Sequence, residues 1–475
     1  MSTRPAQEYL SATSTRGRVM LAAVTLGSGV AILDGSVVNV ALRSIGDDLG
    51  ATLPQLQWVI GGYLLALASL VLVAGALGDR LGRRRVYLVG MTWFLVASAL
   101  CALAQDPWQL VGARVVQGVG AALLTPGALA LIQASFAPGE RARAIGTWAG
   151  VSGIAAAVGP LVGGAIVDTT TWRWIFAINI PICLVVVALT WWSAPESRDT
   201  ESTGAFDVVG ALLVVLTLGA STWALTTAAE ASTGALVLAW VVTGLGTAGF
   251  LLRSRRTAYP LVPLHLFSSR VFSAANAMTL LVYAALGAVM LFVVVQLQVS
   301  SGWSALDSGL AGLPVTVALL LLSPRAAALA DRIGPRVPMT VGPLVCGLGV
   351  AMMVGIGEGT RWWGVLPGMV VFALGLALLV SPLTAAVLAA VADRFAGLAS
   401  GINNAVARTG SLLAVAALPA LVGLSGDDYT DPVAFTAGYR WAMVVCALLL
   451  VAGGLVSWLG LREQGPGAEK REARA

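Results

Sequence analysis

The sequence predicts an all-α polytopic membrane protein: two six-helix bundles with two extra helices between them, fourteen spans in all. Three observations predict it. The 475 residues are 58% hydrophobic and only 11% charged, against about 25% charge in soluble domains, and mean hydropathy is +0.87. So much apolar surface needs lipid as its solvent. Apolar windows of about 20 residues, the length that crosses a ~30 Å hydrocarbon core, recur along the chain. The chain also repeats itself, and parallel six-helix halves are a known transporter architecture.

The windows fall at 19–42, 55–77, 86–104, 108–134, 143–166, 173–193, 206–228, 233–252, 271–298, 308–329, 338–357, 363–391, 396–424 and 436–461. Barrel strands would show about ten alternating residues each, so these uninterrupted runs are helices. The first contains Asp34 and lacks a small-residue cleavage site, which makes it a retained span and not a removed leader. The expected organisation is a cytoplasmic tail at 1–18, an N-terminal bundle at 19–193 and a cytoplasmic connection at 194–205. The two inserted helices follow at 206–252, then a second cytoplasmic connection at 253–270, the C-terminal bundle at 271–461 and a cytoplasmic tail at 462–475.

Orientation follows from the bias of basic residues toward the cytoplasm. Of 28 Lys and Arg, twenty-two fall at the N-terminus, the even-numbered connections and the C-terminus; Arg43, Arg173, Arg361 and Arg440 fall on the other side, and Arg114 and Arg408 lie within spans. This sets both termini inside a bacterial inner (plasma) membrane. It also explains the basic balance without a nucleic-acid partner.

The repeat aligns GDRLGRRRVYLVG (78–90) with ADRIGPRVPMTVG (330–342), and Gly112–Pro126 with Gly368–Pro382. Both pairs occupy equivalent spans of the two halves. Their offset of 252–256 exceeds six spans by about two helices.

Charge at bilayer depth costs a few kcal/mol, so it marks function by default. Among 23 acids, Asp34 alone lies clearly within a span. It sits about eight residues from the outer end of its span and Arg114 about six from its own; at ~1.5 Å per residue their depths agree. Asp34 is the candidate proton carrier, since burial and a nearby cation move a carboxyl pKa in opposite directions. The alternative is a permanent structural pair. Arg114 would tune that titration, with Gln117 sharing its face at i+3.

GDRLGRRRV supplies a turn at Gly82 and a cationic cluster of Arg80 and Arg84; Asp79 could meet a helix N-terminus across the bundles and latch them. Simple topogenic charge is the alternative, and the repeated Asp331 and Arg332 argue against it. In span 5, Gly153, Gly159, Gly163 and Gly164 let helices approach closely, and Pro160 permits a bend. Asn39, Gln57, Trp58, Tyr63, Asn403, Asn404 and Arg408 are candidate cavity residues, or else interface anchors and interhelical bonds.

No phosphate-binding loop, hydrolase elbow or zinc-protease motif is present. The four cysteines lie singly in apolar runs and the one histidine, His265, in a connection. No metal, cofactor or enzymatic activity is expected; the expected partners are protons, a small-molecule substrate and the bilayer, with the monomer as the working unit.

The segments LDGSVVNVAL (33–42), GDRLGRRRV (78–86), ARVVQGVGAALLTPGALAL (113–131), the Gly-Pro stretch of span 5 and WRWIFAINIP (172–181) resemble the major facilitator superfamily. Within it they are similar to the fourteen-span drug:proton antiporters of the EmrB/QacA type, over residues 15–462. The resemblance implies alternating access by rocking of the halves, export in exchange for protons, Asp34 and Arg114 in proton coupling and Asp79 in the latch. The sequence departs from internal symmetry at Val370, which stands where the second half would repeat Arg114. Amphiphilic drugs, dyes or antibiotics are the expected cargo. Import of a metabolite by symport, or a non-transporting membrane sensor, remain the rival readings.

Overall fold

The computed structural model describes residues 9–11, 13–198, 207–392, 395–426 and 428–461, without the side chains of residues 138, 142, 149, 150, 153, 154, 156 and 157. The start of the predicted N-terminal tail, most of the 194–205 connection and the 462–475 tail lie outside these residues.

The described chain is helical, with no strand. Helices α1 (Thr15–Leu49), α2 (Leu53–Leu81), α3 (Arg83–Ala102), α4 (Pro107–Ser135), α5 (Pro138–Thr169), α6 (Trp174–Ala177) and α7 (Asn179–Ser193) form the first bundle. Helices α8 (Val208–Thr226) and α9 (Thr233–Arg256) follow. The second bundle comprises α10 (Arg270–Val299), α11 (Ala305–Leu310), α12 (Leu313–Ile333), α13 (Arg336–Met353), α14 (Trp362–Ala389), α15 (Ala396–Leu421) and α16 (Pro432–Gly460). Among the described residues, 13 helical segments are long and apolar enough to cross a membrane, α6 with α7 and α11 with α12 each counting as one. The 32-residue α5 is the remaining long helix.

Several boundaries move outward from the sequence reading. Helix α1 starts at Thr15, inside the predicted tail, because Ser14 caps it by accepting from the Gly17 amide at 3.0 Å. It runs on to Leu49, ending at Gly50 with φ 60°. Polar turns at a membrane surface do not stop a helix; caps do. Two predicted spans are broken. Pro181 lacks the amide that would bond the Ala177 carbonyl, and Pro314 the one that would bond Leu310, so α6 and α11 end there. Arg325 is a further correction: it lies within α12 and donates to the Leu321 carbonyl at 2.6 Å.

The bundles repeat each other in packing. Helix α1 lies against α5 and α7 as α10 lies against α15 and α16; α4 receives α2 and α3 as α14 receives α12 and α13. The sequence repeat is mirrored in detail. Gly82 and Gly334 turn between helices at φ 109° and 82°. Arg84 and Arg336, matched in the repeat, lie over Trp191 and Trp458 at 5.0 and 3.9 Å and bond the carbonyls of those same residues. Each arginine thus clips the last helix to its bundle.

Helices α2–α15, α5–α11 and α1–α10 join the halves, and α8 lies against both α2 and α15. The inserted pair is anchored by Asp207, which accepts from the Gly210 amide at 2.9 Å, Arg253 at 3.0 Å and the Leu261 amide at 3.3 Å.

The halves meet unevenly. At the end away from the chain's N-terminus, Leu53 N donates to Gly426 O at 2.9 Å, Tyr429 Oη to Ala51 O at 2.7 Å and Gln298 Nε2 to Val40 O at 2.9 Å. Arg43 there bonds the Gln298 carbonyl. At the opposite, arginine-rich end, no hydrogen bond or ion pair joins the bundles among the described residues. The buried apolar residues divide the same way. One cluster runs through the second bundle and the far half of the first, while the arginine-rich half of the first bundle forms its own. Among the described residues, the hydrogen bonds between the bundles thus gather at the far end.

Candidate functional site

Asp34 on α1 and Arg114 on α4 meet directly inside the first bundle. Arg114 Nη1 donates to Asp34 Oδ2 at 2.5 Å, and both residues are buried at 1% exposure or less. Arg114 also donates to Gln117 Oε1 at 2.5 Å and to the Val59 carbonyl at 3.1 Å. Gln117 Nε2 returns to Asp34 Oδ1 at 2.8 Å and to Ser98 Oγ at 2.9 Å. Asn179 Nδ2, at the start of α7, donates to the same Asp34 Oδ1 at 3.0 Å. The Tyr63 ring covers the guanidinium at 4.3 Å, and its hydroxyl donates to the Ala31 carbonyl at 3.2 Å.

The break between α6 and α7 brings Asn179 to this carboxylate, at the first residue after the interruption. Ser98 and Asn179 were not singled out by sequence, since neutral polar residues in spans carry little signal. In low dielectric, removing one partner of a buried pair costs about 3–5 kcal/mol. This pair is instead enclosed by neutral hydrogen-bonding groups. Gly35, the next residue along α1, is exposed and lies 3.8 Å (measured to an added Cβ) from the Tyr63 ring. The space between the bundles therefore reaches the turn that holds Asp34, while the carboxylate itself is sealed.

The other predicted residues divide into groups. Gln57 donates to the Val415 and Ala416 carbonyls at 2.8 and 3.2 Å, joining α2 to α15 at the far end. Asn403 bonds Asn276 at 3.2 Å and Thr279 at 2.8 Å, within the second bundle. Asn39, Trp58, Asn404 and Arg408 are part-buried.

In α5, side chains added at Gly159 or Gly163 would collide with Ser36 or Val37 of α1, and one at Gly164 would come within 2.5 Å of the Leu306 backbone. Gly309 of α11 lies against the Pro160 carbonyl. The Gly-Pro stretch is thus part of the far end. Gly153 lies in α5, but its surroundings are outside the described residues.

Asp79 does not bridge the bundles. It pairs with Arg83 of its own turn at 2.8 Å, and its repeat partner Asp331 is exposed, as is Arg332. Arg80 is part-buried and Arg84 is committed to Trp191. The predicted latch contact is absent among the described residues, because the Asp79 carboxylate is engaged by Arg83. A contact sequence did not reveal bridges the far end: Asp168, at the end of α5, accepts from the amides of Ala305 and Leu306 at 3.0 and 2.9 Å.

Comparison with known proteins accords with this architecture. The chain is 34% identical over 434 residues to the tetracenomycin C resistance and export protein of Streptomyces glaucescens, covering 89% of this chain and 80% of that one. It is 32% identical over 454 residues to the methylenomycin A resistance protein of Bacillus subtilis, covering 94% and 95%. The fold resembles a bacterial homologue of the human lysosomal transporter Spinster, solved inward-facing and unoccupied, at TM-score 0.70 and 17% identity over 95% and 98% of the chains. A D-xylose–proton symporter gives TM-score 0.65 at 15% identity, over 94% and 98%. The sequence matches the Major Facilitator Superfamily over residues 24–415 and again over 276–475. This multi-pass membrane protein belongs to the major facilitator superfamily and is a transporter, not an enzyme.

Proposed function

We propose that the chain is a proton-coupled antiporter that exports small amphiphilic compounds, of the fourteen-span EmrB/QacA type. It works as a monomer in the bacterial plasma membrane with both termini cytoplasmic, its bundles at 19–193 and 271–461 flanking the two inserted helices. The basic bias toward one face supports this orientation. On that assignment the conformation is open to the cytoplasm and sealed outside. The resistance and export named for the relatives supports an outward direction.

The observation that carries the reading is the sealed carboxylate. Asp34 is the sole acid buried mid-span among the described residues, and its partners suit two protonation states. When a proton arrives from outside and neutralises Asp34, Arg114 keeps two neutral acceptors, Val59 O and Gln117 Oε1. The cation is never stranded. Proton and substrate then favour different members of one conformational equilibrium, which is the requirement for exchange. Asp79 is the latch of the outward-open state, released here, and the Gly-Pro stretch of α5 seals the inward-open one.

The test is dye efflux into energised inverted vesicles, comparing the native chain with Asp34→Asn and adding a protonophore. Transport that collapses with the gradient and is lost in Asp34→Asn at normal expression supports the antiporter. Gradient-driven transport that survives the substitution makes Asp34 structural. Uptake of labelled metabolites into intact cells would replace export with symport.

A further inference from the structure

Of the three arginines well inside spans, Arg114 pairs with Asp34 and Arg325 bonds a carbonyl of its own helix, which leaves Arg408. Arg408 is the thirteenth of 26 residues in α15, so it lies near mid-membrane. It is part-buried, and among the described residues it makes no hydrogen bond or ion pair. Arginine does not shed its proton, so its charge persists at this depth.

Its direction follows from its neighbours. On α15, Gly401 and Leu412 contact Leu72 and Gly61 of α2, while Gly410 and Ser411 contact Leu280, Tyr283 and Ala284 of α10. Arg408 falls between these two faces at 100° per residue. Its guanidinium is within electrostatic reach of Tyr63 and Tyr283, one from each bundle. Tyr63 borders exposed Gly35. Asn404, one turn nearer the cytoplasm on the same stripe, also has no hydrogen-bond partner among the described residues.

We propose that Arg408, with Asn404, forms an anion-binding subsite between the bundles, and that the exported compounds are amphiphilic acids carrying a carboxylate, enolate or similar oxyanion. The inference rests on the export reading and specifies its cargo. A cationic substrate would need an acid in the cavity, and the sole mid-span acid among the described residues is already neutralised by Arg114 and sealed. Arg114 is equally committed. Arg408 is the free charge, and a guanidinium forks onto an oxyanion. The anion is read in the second bundle and the proton in the first. Because the Asp34–Arg114 pair is net neutral, the two ligands couple through the conformational equilibrium and not by contact. With one proton entering per anion leaving, each cycle carries two charges inward, so transport responds to membrane potential as well as to pH.

The probes are pyrenebutyrate and its neutral methyl ester. Binding to purified protein in detergent is read by energy transfer from tryptophan, and transport in inverted vesicles is read beside a cationic rhodamine. The native protein is expected to bind the acid at least about 10-fold more tightly than the ester. That preference falls to near unity in Arg408→Gln and is largely retained in Arg408→Lys. Equal binding of acid and ester, or a preference that survives Arg408→Gln, overturns the subsite whatever the vesicles show. If rhodamine is driven out and the acid is not, export stands and this cargo is wrong. If the acid binds through Arg408 yet no probe follows the proton gradient, the subsite stands and the export reading fails.

Discussion

Asn179 holds a buried carboxamide whose nitrogen bonds Asp34 while its oxygen has no hydrogen-bond partner among the described residues. An amide turned through 180° exchanges donor for acceptor. It can therefore donate to the Asp34 carboxylate and, turned over, accept from the carboxylic acid. Asn179→Leu removes both options at a cost of about 1–3 kcal/mol, a factor of roughly 5 to 150 in rate. The expected result is slowed proton-driven efflux, with exchange of labelled for unlabelled substrate at equal pH largely retained. Loss of both to the same extent would make Asn179 a packing residue. Asp34 and Arg114 were legible in the sequence because a charge in an apolar run is costly enough to stand out. Asn179 and Ser98 were not, because a neutral amide or hydroxyl in a span has many uses. Arg408 was visible as a mid-span charge, but its lack of a partner emerges only in three dimensions.

At the scale of elements, the far end is built by backbone approach. Helix α5 brings Gly164 against α11 while Asp168 accepts two amides at the start of that helix. The glycine spacing announced close packing, but nothing in the sequence named α1 and α11 as the partners. Gly164→Val must push α5 from α11, and Asp168→Ala removes a cap of about 1 kcal/mol. Both are expected to raise labelling of single cysteines introduced at the far end by an impermeant reagent, Gly164→Val the more strongly. Unchanged labelling would remove this contact from the seal. The inserted pair is separately clamped. Burial pushes the Asp207 carboxyl up, but bonds from the Gly210 amide, Arg253 and the Leu261 amide outweigh it and hold the carboxyl below its usual value of 3.8. A depressed folded pKa gives stability that is full above the unfolded value and lost as pH falls through the folded one. Asp207→Ala is therefore expected to lower the melting temperature in detergent at pH 7, by about 1–2 kcal/mol in stability, with the gap to native narrowing below pH 3.8. A gap constant down to pH 3 would leave the cap geometry, and not the charge, as the source.

For the whole molecule, the proposed alternating access makes the two ends opposed locks on one equilibrium. Asp168 bridges the far end, and Asp79, here paired with its neighbour Arg83, is the proposed lock of the other end. A ligand shifts such an equilibrium only by its differential affinity for the two states, so removing a lock shifts it by that lock's worth. Tying the far end should therefore hold the protein open to the cytoplasm without touching either proposed binding site. Asp168→Cys with Ala305→Cys, bridged by a short bifunctional thiol reagent, tests this. The four native cysteines are buried and unpaired, which keeps the background low. The bridged protein is expected to bind substrate from the cytoplasmic side with native affinity, yet to show no net efflux and no exchange, and cleaving the bridge should restore both. Asp79→Asn should move the same way more weakly, slowing efflux while leaving cytoplasmic-side binding intact. If the bridged protein still transports, the far-end contact is not broken during the cycle, and the bundles do not rock about the axis that their repeat implies.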